Sequence, residues 1–152
     1  MSTTISDHDG GWWNHVIRGL GLHKRLKHKG DVVTTTDIIV IADSKILLIE
    51  RGKNPYKDHW AFPGGRVEQN DENLNSAAWR ELKEETNINI NSSDLKLCHN
   101  VGNSERDPRG FCTIVYTAFL HTIPYGVRAG DDAVEYGWFY LKNLPLITFD
   151  HI

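Results

Sequence analysis

The chain is poor in the residues that would build a covalent or membrane-bound framework. Among 152 residues there are two cysteines, Cys98 and Cys112, and one methionine. Two cysteines are too few for a disulfide scaffold, and both fall in segments that read as strands, where buried free thiols are expected. No apolar run approaches the roughly 20 residues that a membrane-spanning helix requires. Near the N-terminus Trp12-Trp13 and Val16-Ile17 are isolated pairs broken by Asn, His, Arg and Gly, unlike the continuous apolar stretch of a signal peptide. A cytoplasmic protein without a membrane partner is the expectation. Excess positive charge is also missing. Seventeen Lys+Arg against 20 Asp+Glu leave a formal −3, which excludes a generally basic surface, so nucleic acid is not an expected partner. With 39% apolar and 24% charged residues, the composition is that of a globular domain rather than a disordered chain. The length fits one domain with a hydrophobic core.

Residues 1–31 form an N-terminal arm of different character. They hold Gly10, Gly11, Gly19, Gly21 and Gly30, paired tryptophans and the basic group Lys24, Arg25, Lys27 and Lys29. A solvated arm, a dimer contact, a substrate lid and a weak anionic-surface site all fit this composition. From residue 32 to 152 the pattern becomes regular. Val32 to Ile41 is a β-branched run and Lys45 to Ile49 a second apolar run, joined tightly through Ala42-Asp43-Ser44 as a strand pair. Trp60 to Phe62 reads as a short strand stopped by Pro63-Gly64-Gly65. Glu72 to Thr86 reads as a helix. Leu95 to Val101, Phe111 to His121 and Val134 to Leu141 read as further strands. Strands mixed with one strong helix predict an α/β domain with a mixed sheet.

The chemistry is concentrated on that helix. At 100° per residue, Glu81, Glu84 and Glu85 fall within an arc of about 100°, while Trp79 and Leu82 turn toward the sheet. Like charges at these spacings cost about 0.2–0.5 kcal/mol per pair, and the helix dipole disfavours anions near a C-terminus. Three carboxylates on one face suit hard divalent cations, which take oxygen ligands and can clamp a pyrophosphate. Arg80 precedes Glu84 by four residues and can orient it. Asn70, Asp71 and Asn73 are candidate N-caps, and Asn87 stands where a left-handed C-terminal residue is expected. The Gly64-Gly65 pair permits close backbone approach.

Gly65, then Arg80-Glu81-Leu82-Lys83-Glu84-Glu85, then Ile88 resemble the signature of the Nudix hydrolases, G-x5-E-x7-R-E-U-x-E-E-x-G-U with U aliphatic. Two positions depart from it. The first acid is Asp71 when counted from Gly65 and Glu72 when counted back from Arg80, and Asn87 replaces the late glycine. Thr36-Asp37-Ile38-Ile39-Val40, Leu48-Ile49-Glu50-Arg51-Gly52, Trp60 to Gly65, Arg106-Asp107-Pro108-Arg109-Gly110 and Ala129 to Ala133 are similar to the ADP-ribose pyrophosphatase branch.

The resemblance implies a Nudix hydrolase domain over 32–152, folded as an α/β/α sandwich around a mixed sheet. It implies Mg²⁺, or alternatively Mn²⁺, held by Glu81, Glu84, Glu85 and the Gly64 carbonyl, and it admits a homodimer. The implied reaction is hydrolysis of the pyrophosphate of a small nucleotide, ADP-ribose giving AMP and ribose 5-phosphate. Asp131, Asp132 and Glu135 are candidates for the base, with Glu135 favoured. Arg51, Arg66, Arg106 and Arg109 are candidates for the phosphates, which guanidinium groups bind bidentately. Tyr56, Trp60, Phe111 and Tyr136 are candidates to stack on a base. A hydrolase of oxidised nucleoside triphosphates or of RNA 5′ ends shares the same signature. A non-catalytic ADP-ribose sensor typically has a damaged signature and a further DNA-binding domain, and a catalytically idle acidic interaction module predicts no metal-dependent activity.

Overall fold

The β-branched run after residue 33 forms strand β1 (Thr34–Ala42), and the next apolar run forms β2 (Lys45–Arg51). Their connection, Asp43-Ser44, has φ of 48° and 61°, the primed-turn geometry whose twist suits an antiparallel hairpin. The computed structural model describes residues 33–102, 110–130 and 132–148. The N-terminal arm, Arg106, Arg109 and Asp131 lie outside the described residues.

Beyond the pairs Ile41–Ile46 and Ala42–Lys45 the two strands diverge. The first half of β1 takes β4 (Gly64–Arg66) as its antiparallel neighbour, with Thr35 opposite Arg66 and Asp37 opposite Gly64. β2 instead runs between β3 (Trp60–Ala61) and β7 (Ala133–Tyr140). On its other edge β1 pairs in parallel with β6 (Cys112–Leu120), which carries β5 (Lys96–Gly102) antiparallel. Among the described residues this is a seven-stranded mixed sheet. β4 was not anticipated as a strand: its Gly-Gly-Arg sequence has no β-branched or aromatic residue to announce one.

The centre of the sheet, β1, β2 and β6, is buried on both faces. Ile39, Ile41, Ile46, Leu48 and Val115 pack with Phe62 and Ile147 on one side. Ile38, Val40, Leu47, Ile114 and Tyr116 pack on the other side against Ala78 and Leu82 of helix α1 (Leu74–Thr86). This two-sided burial explains why β1 and β2 read as nearly continuous apolar runs rather than as alternating ones. Cys112 is buried and Cys98 half-buried, both as free thiols on strands.

Helix α1 starts at Asn73, whose side chain accepts from Ser76 N at 2.9 Å while the Ser76 hydroxyl accepts from Asn73 N at 3.0 Å. It stops at Asn87, which is left-handed with φ 59°. The Trp79 indole donates to Ile90 O at 2.7 Å and pins the exit of the helix to its side. No helix among the described residues is long and apolar enough to cross a membrane.

Candidate active site

Ala78 and Leu82 take the sheet-facing stripe of α1, and Glu81 and Glu85 lie on the adjoining arc. Both glutamates are buried, at 8% and 6% exposure. Their carboxylates reach the front of the domain across the glycines of β4. A Cβ at Gly65 would stand 2.6 Å from Glu81 Cδ, and one at Gly64 would stand 2.6 Å from Asp37 Oδ1 and 2.1 Å from Thr36 O. The glycine pair is therefore a window, open only without side chains, through which helix and strand carboxylates share one space. Gly64 meets the helix through its amide, which donates to Glu85 Oε2 at 2.8 Å.

Arg80 organises the flank of this space. Its Nε and Nη2 donate to the two oxygens of Asp71 at 3.0 and 2.9 Å, Nη1 to Glu81 Oε1 at 2.8 Å and Glu84 Oε2 at 3.1 Å, and Nη2 also to Arg66 O at 3.0 Å. Those bonds use all five guanidinium donors. They raise the Arg80 pKa and hold Asp71 below the ordinary carboxylate range. Of the two candidates for the first acid of the signature, Asp71 docks on Arg80, while Glu72 is exposed. Glu84 is drawn aside by Arg80, with its side chain 47% exposed, so only two of the three helix glutamates enter the cleft.

A cleft of about 300 Å³ opens in front of Glu81 and Glu85. Asp37, Glu68 and Asp132 add acidic groups to its lining, and Arg51, Lys53 and Arg66 supply the basic ones. Burial raises the carboxyl pKa of Glu81 against the pull of Arg80. Burial pushes Glu85 up to about 8, opposed by the Gly64 amide and assisted by the negative charges of Glu81 and Asp37. Desolvated carboxylates of this kind are short of positive charge and fit a hard divalent cation. Among the described residues no group of three or more Asp, Glu, His or Cys side chains is arranged to hold a metal ion. An open set with two carboxylates leaves a hard divalent cation with coordination positions for other oxygen ligands.

Several expected residues are placed elsewhere. Glu135 is exposed on β7, in register with Glu50, which lies between the cleft-lining Ile49 and Arg51 of β2. Strand alternation turns it to the opposite face of that pair. Asp132 is the base candidate that lines the cleft, and it forms an ion pair with Lys53. Of the four aromatic candidates only Phe111 lines the cleft, with the Arg66 guanidinium 5.1 Å from its ring centre. Trp60 packs edge-on against Phe139 at 4.9 Å, Tyr136 joins the helix-side core, and Tyr56 is exposed beside His59. Asp37 and Lys53 were not singled out in the sequence. The charge of Asp37 inside an otherwise β-branched run was the available signal.

The segment after β6 returns along the end of α1. Arg128 N donates to Thr86 O at 3.1 Å, Gly130 N to Glu85 O at 3.0 Å, and Asn87 Nδ2 to Gly126 O at 3.0 Å. The carbonyls left unpaired at a helix C-terminus thus anchor the loop that delivers Asp132, whose own carbonyl accepts from Gly52 N at 2.9 Å.

Fold and cleft together define a mixed-sheet α/β domain in which a buried acidic helix face opens onto a cleft that Arg51, Lys53 and Arg66 also line. Residues 33–151 match the NUDIX domain family, and the chain belongs to it. It is 43% identical over 115 residues to an ADP-ribose pyrophosphatase of Methanocaldococcus jannaschii, an alignment covering 76% of this chain and 66% of that protein. The NUDIX domain of Shewanella oneidensis NrtR, solved with ADP ribose, superposes with TM-score 0.71 at 27% identity, over 85% of this chain and 87% of that one. A bifunctional NMN adenylyltransferase/ADP ribose pyrophosphatase of Francisella tularensis, solved with AMP and a manganese ion, superposes with TM-score 0.63 at 33% identity. That match covers 86% of this chain and 39% of the bifunctional protein.

Proposed function

We propose that this chain is a divalent-metal-dependent pyrophosphohydrolase that converts ADP-ribose to AMP and ribose 5-phosphate, with Mg²⁺ as the working cation and Mn²⁺ able to replace it. The observation that carries the reading is the buried pair Glu81 and Glu85 opening onto a cleft that also holds Arg51, Lys53 and Arg66. The 43% identity to an archaeal ADP-ribose pyrophosphatase supports the substrate.

Glu81 and Glu85 would hold the cation, with the Gly64 carbonyl as a further oxygen donor. When bound, the cation neutralises charge on the diphosphate and makes water a better nucleophile. Arg51 and Arg66 bind phosphate oxygens and orient the diphosphate, and Arg106 and Arg109 are further candidates for that task. Asp132 is the carboxylate positioned to take the proton from the attacking water, with Lys53 fixing its direction. Glu84 acts through Arg80, whose bond to Glu81 orients that carboxylate. Positioning and charge stabilisation supply most of the rate in such reactions.

The test is product analysis with Mg²⁺ and a panel of ADP-ribose, NADH, diadenosine polyphosphates and 8-oxo-dGTP, with Glu85→Gln as control. Release of AMP and ribose 5-phosphate from ADP-ribose is expected, with the variant reduced at least about a hundredfold, the scale on which electrostatic groups act. Preference for another panel member would replace the substrate while keeping the reaction. The likeness to the NrtR domain favours one rival, a sensor that binds ADP-ribose and cleaves nothing. Tight binding without product under Mg²⁺ or Mn²⁺ would establish it.

A further inference from the structure

Asn87 occupies the place where the family signature carries glycine. As a left-handed cap it needs no more than its backbone, whose N–H donates to Lys83 O at 2.9 Å. Its side chain does something glycine cannot: Nδ2 donates to Gly126 O, 39 residues further along the chain, at 3.0 Å. Two backbone bonds continue the seam, from Arg128 N to Thr86 O and from Gly130 N to Glu85 O. The fit is close enough that a Cβ on Gly130 would stand 2.4 Å from Glu84 O. Past Gly130 the chain turns, Ala133 N donating to Gly130 O at 3.0 Å, and presents Asp132 to the cleft.

We propose that Asn87 is a positioning residue for the reaction, clamping the 126–130 segment to the helix so that Asp132 keeps a fixed location relative to Glu81 and Glu85. The catalytic part of this inference rests on the function proposed above; the clamp itself does not. The two carboxylate-bearing walls come from segments some fifty residues apart, and the seam makes them one body. Asn87 closes the seam at its outer end, where the loop would otherwise begin to peel away.

The informative variant is Asn87→Gly, because glycine is the preferred left-handed residue at a helix end and leaves the cap intact. Hydrogen exchange at the Arg128 and Gly130 amides should accelerate about two- to fivefold, the low end of what one exposed hydrogen bond is worth. The kcat for ADP-ribose should fall by a similar factor, with KM and Mn²⁺ affinity, read by electron spin resonance, unchanged. Asn87→Asp, equal in size but without an N–H donor, should reproduce both effects. Unchanged exchange in both variants would overturn the clamp. Faster exchange with an unaltered kcat would overturn the positioning role. If the wild-type chain does not turn over ADP-ribose, the proposed function fails by that result alone, and the exchange rates still decide the clamp.

Discussion

Placing a single methyl group at Gly65 should separate catalysis from folding. The added Cβ of Gly65→Ala would lie 2.6 Å from Glu81 Cδ and Oε1, whereas ordinary contact begins near 3.4 Å, so the carboxylate must retreat by about 0.8 Å (3.4 − 2.6). The obstacle is the end of a flexible side chain, so the fold absorbs the clash for less than about 1 kcal/mol, the surface-like end of mutational effects. Catalysis has no such slack. A misplacement of about 1 Å can cost on the order of a hundredfold, which puts the expected loss in kcat/KM at about 30- to 100-fold, or roughly 2–2.7 kcal/mol of barrier. Steady-state hydrolysis of ADP-ribose at saturating Mg²⁺, beside a thermal melt, reads both quantities. Glu81→Asp withdraws the carboxylate by one methylene, so the double variant should be no worse than Glu81→Asp alone, a non-additivity expected only of groups in contact. Activity of Gly65→Ala within twofold of wild type, or simple additivity in the double variant, would refute the window described above.

Two further perturbations address the flanks of the site. Asp71→Asn removes the charge from a two-point ion pair and should cost about 1.5–3 kcal/mol at pH 7, measured from urea midpoints. Because Arg80 lowers the folded-state pKa of Asp71 below its ordinary 3.8, this stabilisation is complete above that value and fades as pH falls through the lowered one. The gap between wild type and variant should therefore narrow only below about pH 4, and a gap that persists undiminished at pH 2 would contradict the assignment. Phe111→Leu keeps an apolar filler but removes the ring face beneath Arg66. A contact of this kind is worth about 0.5–1 kcal/mol where exposed, so KM for ADP-ribose should rise about two- to fivefold with kcat unchanged. A loss confined to kcat would place Arg66 elsewhere in the reaction.

Much of the site was legible because a helix converts spacing into direction. Glu81 and Glu85, four residues apart, had to share a face, and Asn87 marks the helix end by local rules, whereas the N-cap was narrowed only to Asn70, Asp71 or Asn73, of which the structure uses Asn73. The fate of Glu84 was not legible, since it depends on which acceptors Arg80 selects in three dimensions. β4 escaped notice because its glycines serve as empty volume, a property that neither propensity nor periodicity records. Glu135 was the favoured base candidate in the sequence, and pairing with β2 fixes which face of β7 it occupies, away from the cleft. Asp37 was hidden in the opposite way: the strand around it reads so clearly as core that its one charge passed as an interruption, although Gly64 leaves it room at the cleft.

The docking of Asp71 onto Arg80 bears on how such a segment tolerates change in length. Counted from Gly65 the acid stands at the position the signature assigns, and counted from Arg80 it stands one residue too far upstream. Between the acid and the first turn of α1 stand Glu72 and the N-cap Asn73. What holds the acid in place is a fork of guanidinium donors meeting a carboxylate, and this geometry is indifferent to the number of residues looped out between them. Insertions and deletions at the helix entrance therefore leave the carboxylate wall intact, provided that an acid still reaches the fork. In this chain the contact with Arg80 is made although the spacing departs from the signature by one residue.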